Sequence, residues 1–320
     1  MFNTDLILHL QAWDHPIIYG LMWFISFLST TPMIIALCLT IAFGLDLKRG
    51  LVLINIVAWA AFFVSLTKIG VDYPRPIDLD PNIQQGTEGQ ANPNLESIMP
   101  DGFFELFSAD LLEASRSDTI EQYGFPSGQV AIQTSLWLSF LFLFRKRWIL
   151  RLGVTVILLT SLARIYLGYH FLGDVIGGMV LGLLLTLIIL LIIRKSRYLN
   201  LSTHDNFSLL FFWTPWLVLP FAGLTPYWQM ASVLGLNMAV IFIVQRRNFP
   251  VFHKIIWKRV LAAVVVIAFF LGAHYLNKFT HFTNSAVVDF LIITVLNFAV
   301  VLGGLSLNRR LFLIKYRLVF

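Results

Sequence analysis

The 320 residues are 58% hydrophobic and 12% charged, with a mean hydropathy of +0.79. A soluble globular chain carries about 25% charged residues, and the apolar residues here run in blocks near the roughly 20 needed to cross a bilayer, so a soluble domain is excluded. A transmembrane β-barrel, which needs short alternating segments, is excluded as well. The net charge of +6 is sorted: basic residues stand in short clusters beside apolar runs, a topology signal rather than a nucleic-acid one.

In chain order, residues 4–13 read as a short interfacial helix, with no basic n-region or cleavage site for a removable signal peptide. Spans follow at 16–29 and 32–46, divided by Ser29-Thr30-Thr31-Pro32, with one long bent helix as the alternative. Cys38 lies in the second run and has no partner for an intrachain disulfide. A third span at 51–69 leads into a long loop, 71–125, holding eleven acids (Asp72, Asp78, Asp80, Glu88, Glu96, Asp101, Glu105, Asp110, Glu113, Asp118 and Glu121) against two bases, Arg75 and Arg116. Within it, 103–115 predicts an amphipathic surface helix. Spans at 127–144, 149–167 and 172–193 come next; Gly177, Gly178 and Gly182 in the last suit close helix packing. After a polar linker at 198–206, further spans are expected near 208–224, 227–245, 260–276 and 286–305.

The basic clusters Lys48/Arg49, Arg145–Arg151, Arg194–Arg197, Arg246–Arg259 and the tail with Arg309, Arg310, Lys315 and Arg317 all fall on one side of such an arrangement. The positive-inside rule makes that side cytoplasmic. The expected fold is all-α and polytopic, with nine or ten spans: a six-span core in residues 1–198 and about four more spans in 199–320.

Three stretches carry chemistry, all at outer helix ends. Lys68 closes one span, and Arg75-Pro76 follows seven residues later. Pro126-Ser127-Gly128-Gln129 opens a helix, where free N–H groups favour an anion. Arg164 ends a span, and His170 and Asp174 bracket the next turn; if 170–174 is helical, the pair shares a face. Three cations, a hydroxyl, a backbone donor and a histidine with a carboxylate partner suit phosphoryl transfer, which depends on positioning and charge neutralisation. No metal or cofactor is implied.

This ordered trio resembles the type-2 phosphatidic acid phosphatase superfamily, whose pattern is Lys-x6-Arg-Pro, Pro-Ser-Gly-His and Ser-Arg-x5-His-x3-Asp. The resemblance covers roughly residues 1–197. It implies that His170 is the nucleophile and forms a phosphohistidine. Asp174 would orient it, and Lys68, Arg75, Ser127, Gly128 and Arg164 would bind the phosphoryl oxygens. Two positions depart from the pattern. Ala163 stands where the family has serine, and Gln129 where it has the histidine that serves as general acid. Glutamine delivers no proton, and loss of a general acid costs roughly 10²–10⁴ in rate. A diphosphate, whose leaving group departs as an anion, escapes most of that loss.

The expected activity is release of phosphate from a membrane lipid, with undecaprenyl diphosphate the leading candidate. It is expected on the extracytoplasmic face, in the inner membrane if the source is bacterial. Alternatives are transfer of the phosphoryl group to another lipid such as lipid A, His281 as a substitute proton donor, and a weak lipid-phosphate-binding protein. A transporter predicts paired charges at mid-membrane, whereas the charges here concentrate at helix ends. His9, His15, His204, His253 and His274 read as interfacial or packed rather than catalytic.

Overall fold

The computed structural model describes residues 1–13, 15–84, 99–100, 102–117, 124–195, 212–223, 227–245, 248–279 and 285–318. His204, His281, Arg246, Arg247, the 198–206 linker, the Thr225-Pro226 turn and the acids Glu88, Glu96, Asp101, Asp118 and Glu121 lie outside them. In chain order the helices are α1 (Asp5–Gln11), α2 (Pro16–Leu28), α3 (Thr31–Thr40) with a π-helical turn Ile41–Leu45, α4 (Leu47–Val71), α5 (Pro76–Leu79), α6 (Ala109–Ser117), α7 (Gly128–Phe144), α8 (Arg147–Tyr166), α9 (Leu172–Lys195), a 3-10 helix Thr214–Phe221, α10 (Trp228–Gln245), α11 (Ile256–Phe279) and α12 (Ala286–Arg310). The chain is a multi-pass helical membrane protein: α4, α8, α9 and α12 are each long and apolar enough to cross a bilayer.

Packing divides the chain into two compact units, one of Met1–Met33 with Phe63–Leu187, the other of Ile34–Phe62 with Ile188–Phe320. In the first unit α7 is the central helix. Ten of its residues are buried, from Val130 to Leu143, including Gln133, Thr134, Ser135 and Ser139. The hydroxyls satisfy themselves on backbone: Thr134 donates to the Val130 carbonyl, Ser139 to that of Ser135 and Ser135 to that of Gly182. By contrast only 33% of the apolar window of α8 and of α9 is buried, leaving broad apolar faces for lipid.

Gly178 shows why α9 approaches α7 so closely. A Cβ there would stand 2.6 Å from the carbonyl oxygen of Ser127, and Gly182 meets the Ala131 carbonyl in the same way one turn on. Small residues on one stripe therefore bring backbone against backbone, and the beginning of α7 is held to the beginning of α9 by a hydrogen bond from Ser127 N–H to the Asp174 carbonyl (2.9 Å).

The end of this unit that carries the three motifs is closed by aromatic packing. Phe2, Phe107 and Phe171 join a buried cluster with Ile7, Leu79, Leu111 and Val130, and Tyr73 and Phe125 pack on the Phe2 ring at 5.7 and 6.4 Å. The chain start is tied in by Gly173 N–H donating to the Met1 carbonyl (3.1 Å). Gln11 of α1 clasps the loop: its amide donates to the Tyr166 carbonyl (2.8 Å) and the Gln84 carbonyl (3.0 Å) and accepts from Gln84 N–H (2.9 Å).

In the second unit Asn55 and Asn237, both fully buried, exchange amide hydrogen bonds of 2.9 and 2.8 Å. Asn297 and Thr294 of α12 bond toward Ser232 and Ala231 of α10.

Three expectations need correction. The surface helix of the loop begins at Ala109 rather than 103, because Gly102 and Glu105 close a turn and Ser108 caps the helix proper, its hydroxyl accepting from Leu111 N–H (3.2 Å). The span expected near 208–224 is, over its described part, a 3-10 helix of eight residues. Pro215 and Pro220 interrupt the α ladder there. The basic stretch after α10 contains a strand, Asn248–Phe252, paired antiparallel with Ile314–Leu318, so a small ribbon accompanies the helices.

Gly178→Val should destabilise the detergent-solubilised protein by about 1–3 kcal/mol, the usual cost of overpacking. Thermal unfolding checks this, and an unchanged melting temperature would show that the α7–α9 approach has slack.

Candidate active site

Each motif residue is placed by a helix end of the first unit. Lys68 lies in the last turn of α4, and its Cε is 3.6 Å from where a Gly128 Cβ would be. Arg75, in extended conformation, immediately precedes α5. Ser127 occupies the N-cap of α7 but makes no side-chain cap. Its hydroxyl is buried and has no hydrogen-bond partner among the described residues. Arg164 is in the last turn of α8. His170 precedes α9, so the His170–Asp174 pair spans a loop-to-helix junction rather than a helical face; Asp174 is in the first turn.

The pair is nevertheless close. Nδ1 of His170 lies 3.4 Å from Oδ2 of Asp174, with the two side chains 3% and 0% exposed. That distance is within ion-pair range but the contact lacks the geometry of a hydrogen bond, since Nδ1 has no such partner among the described residues. The same Oδ2 accepts from Phe171 N–H at 2.8 Å, which anchors the carboxylate. We take the pair as an oriented contact to a neutral ring. Burial, then the charges of Arg164, Lys68 and Arg75, push the imidazole's pKa well below its ordinary 6.5, and the Gly124 carbonyl pulls weakly the other way. All three motif cations therefore bear on one histidine.

Unpartnered polar atoms concentrate here. Among the described residues, Arg75 Nε, Ser127 Oγ, Arg164 Nε, His170 Nδ1 and Asp174 Oδ1 are buried without hydrogen-bond partners. Buried polar atoms are ordinarily satisfied, and a tetrahedral oxyanion is a group that supplies acceptors to the Arg75, Ser127 and Arg164 donors among them.

Gln129 is not brought to the histidine by any hydrogen bond. Its Oε1 accepts from Ser26 Oγ at 3.4 Å, and Ser26 Oγ accepts from an Arg164 terminal nitrogen at 3.1 Å. The Arg164 guanidinium also lies over the Tyr169 ring, 4.2 Å from its centroid. Sequence reading missed Ser26, which is remote in the chain, and Tyr169, which stands beside His170 with nothing in its spacing to mark it. It also missed Gly124, where a Cβ would press on the Tyr73 and Pro74 carbonyls, and whose N–H donates to the Tyr73 carbonyl (2.7 Å). That contact ties the second motif to the first. Elsewhere, His15 and His253 use Nδ1 to accept the N–H groups of Ile17 and Ile255. No group of three or more His, Cys, Asp or Glu side chains suited to a metal ion occurs among the described residues.

Residues 49–198 match the family model of the PAP2 superfamily. That stretch, a little under half of the chain, is similar to the PAP2 superfamily. All three motifs fall inside the PAP2 region. The lipid A 4'-phosphatase of Bacteroides thetaiotaomicron is 38% identical over 60 residues, covering 19% of this chain and 27% of that protein. The match thus spans about a quarter of the relative's length. No solved structure matches the chain.

In the PAP2 region the depressed His170 pKa has a definite sign. The unfolded chain takes up this proton near the ordinary value of 6.5, and the folded chain only at lower pH. The contribution to stability is therefore complete above pH 6.5 and declines as pH falls below it. An NMR titration of the His170 ring in detergent should show a neutral imidazole at pH 6.5; a half-protonated ring at that pH contradicts the geometry.

Proposed function

We propose that the chain is an integral membrane lipid phosphatase acting through a phosphohistidine at His170. The observation that carries this reading is the set of buried, unpartnered donor groups of Arg75, Ser127 and Arg164 around a neutral histidine. In the first step the ring nitrogen away from Asp174 attacks phosphorus, the bond to the lipid oxygen breaks, and that oxygen keeps the electron pair. In the second step water attacks the phosphohistidine, releasing phosphate and restoring the imidazole. Asp174 holds the ring and stabilises its positive charge while the nitrogen is phosphorylated. Lys68, Arg75 and Arg164, with the Ser127 hydroxyl and Gly128 N–H, neutralise the equatorial oxygens.

The substrate class is argued from Gln129. It supplies no proton to the leaving group, and its carbonyl is engaged by Ser26. A leaving group stable as an anion fits best, which favours a lipid diphosphate, with an isoprenoid diphosphate such as undecaprenyl diphosphate as the leading candidate. The name of the Bacteroides relative supports a second reading, in which a phosphate on lipid A is the substrate. The positive-inside pattern favours the extracytoplasmic face for the reaction, with residues 1–198 as the phosphatase core and 199–320 as an accessory membrane module.

His170→Ala should reduce phosphate release from lipid substrates to background while the protein remains folded in detergent; sustained turnover would end the phosphohistidine reading. Gln129→His should raise phosphomonoester cleavage relative to diphosphate cleavage by about 10²-fold, the lower range for an added general acid. A wild-type enzyme that already prefers a lipid phosphomonoester would instead favour the lipid A reading.

A further inference from the structure

Arg164 presents a problem that the three motifs do not solve. Its guanidinium is buried at the end of a membrane span, and two further cations, Lys68 and Arg75, act on the same histidine. Mutual repulsion drives such groups apart unless each is held from behind. A carboxylate would hold the guanidinium strongly, but it would also cancel the charge that an anionic substrate needs.

The structure uses neutral groups instead. Ser26 of α2 receives a hydrogen bond from an Arg164 terminal nitrogen at 3.1 Å, and passes its own proton toward Gln129 Oε1 at 3.4 Å. The Tyr169 ring backs the cation at 4.2 Å. Ser26 is 6% exposed. Its hydroxyl is both acceptor and donor, so Gln129 polarises it toward Arg164. Neither partner carries charge, and Arg164 Nε is left without a partner among the described residues. The guanidinium is thus oriented while its full charge stays available.

Helix α2 reaches Arg164 because it runs along α8 with a second polar contact. Ser29 and Thr160 share a 2.8 Å hydroxyl hydrogen bond, three residues after Ser26 and four before Arg164. These offsets put both pairs on one face of each helix. Ser29 fixes the helices together; Ser26, one turn away, touches the cation.

We propose that Ser26, with Gln129 as its acceptor, is a positioning residue that orients Arg164 for phosphate without neutralising it. On this account Gln129 supports an anion-binding arginine in place of serving a leaving group. The inference rests on the phosphate-site reading above.

The test measures binding of inorganic phosphate and of orthovanadate to the full-length protein in detergent, so that it does not depend on turnover. Ser26→Ala should weaken both by about ten-fold, in keeping with loss of a hydrogen bond to a charged group. Ser26→Thr, which keeps the hydroxyl, should restore most of the affinity. Ser26→Asp should weaken binding further than alanine, because it cancels the charge. Ser29→Ala removes the neighbouring interhelical bond and should leave anion affinity within two-fold of wild type, whatever it does to the melting temperature, where about two-fold is the resolution of the comparison. If Ser26→Ala binds phosphate as tightly as wild type, or if Ser29→Ala weakens it equally, the positioning role is overturned. That result would leave the phosphatase reading standing so long as His170→Ala still abolishes phosphate release. A wild-type protein that binds neither anion overturns both.

Discussion

Like charges brought into one small, poorly hydrated region repel, and the first unit must do work to keep Lys68, Arg75 and Arg164 near His170. Each sits at a helix end and is partly buried. The close approach of α7 and α9 at Gly178, the Gly124 contact with Tyr73, and the aromatic closure by Phe2, Phe107 and Phe171 hold those ends in register. In this fold apolar packing around those ends offsets what the polar arrangement costs. An anion entering the region reverses the sign of the electrostatics, from repulsion among cations to attraction toward a shared partner. The basicity of His170 is depressed first by burial and then by these same cations.

This constraint also explains why the partners of Arg164 are neutral. A fold selected only for stability would pair a buried guanidinium with a carboxylate, since an unpaired buried charge is expensive. Ser26, Gln129 and Tyr169 give weaker support and leave the positive charge uncancelled. Asp174, the acid nearest the site, is occupied by Phe171 N–H and turned toward His170. Carboxylate and guanidinium are thereby kept in separate roles on adjacent helices.

Much of this was legible in the sequence. Hydropathy and charge clusters located most helices, and the ordered spacing of Lys68, Arg75, Ser127, Arg164 and His170 pointed to one candidate site, which no one of those residues would have done alone. Contacts made across large separations in the chain were not legible. Ser26 lies 138 residues from Arg164, and Gln11 is 155 from Tyr166; neither serine nor glutamine in an apolar helix signals what it faces. The loop-to-helix geometry of His170–Asp174 was hidden because i,i+4 spacing also fits a helix. Pro215 and Pro220 carried the warning that 208–224 would not form an ordinary α span, but hydropathy averaged over the window obscured it.

The central claim is that a phosphoryl group becomes bonded to His170. Rapid acid-free quenching of the enzyme during turnover of a radiolabelled lipid diphosphate, followed by peptide mapping, tests it most directly. The account predicts an acid-labile, alkali-stable label on the peptide that contains His170. Steady release of labelled phosphate with the label on another residue, or with no labelled peptide at any quench time, would contradict it.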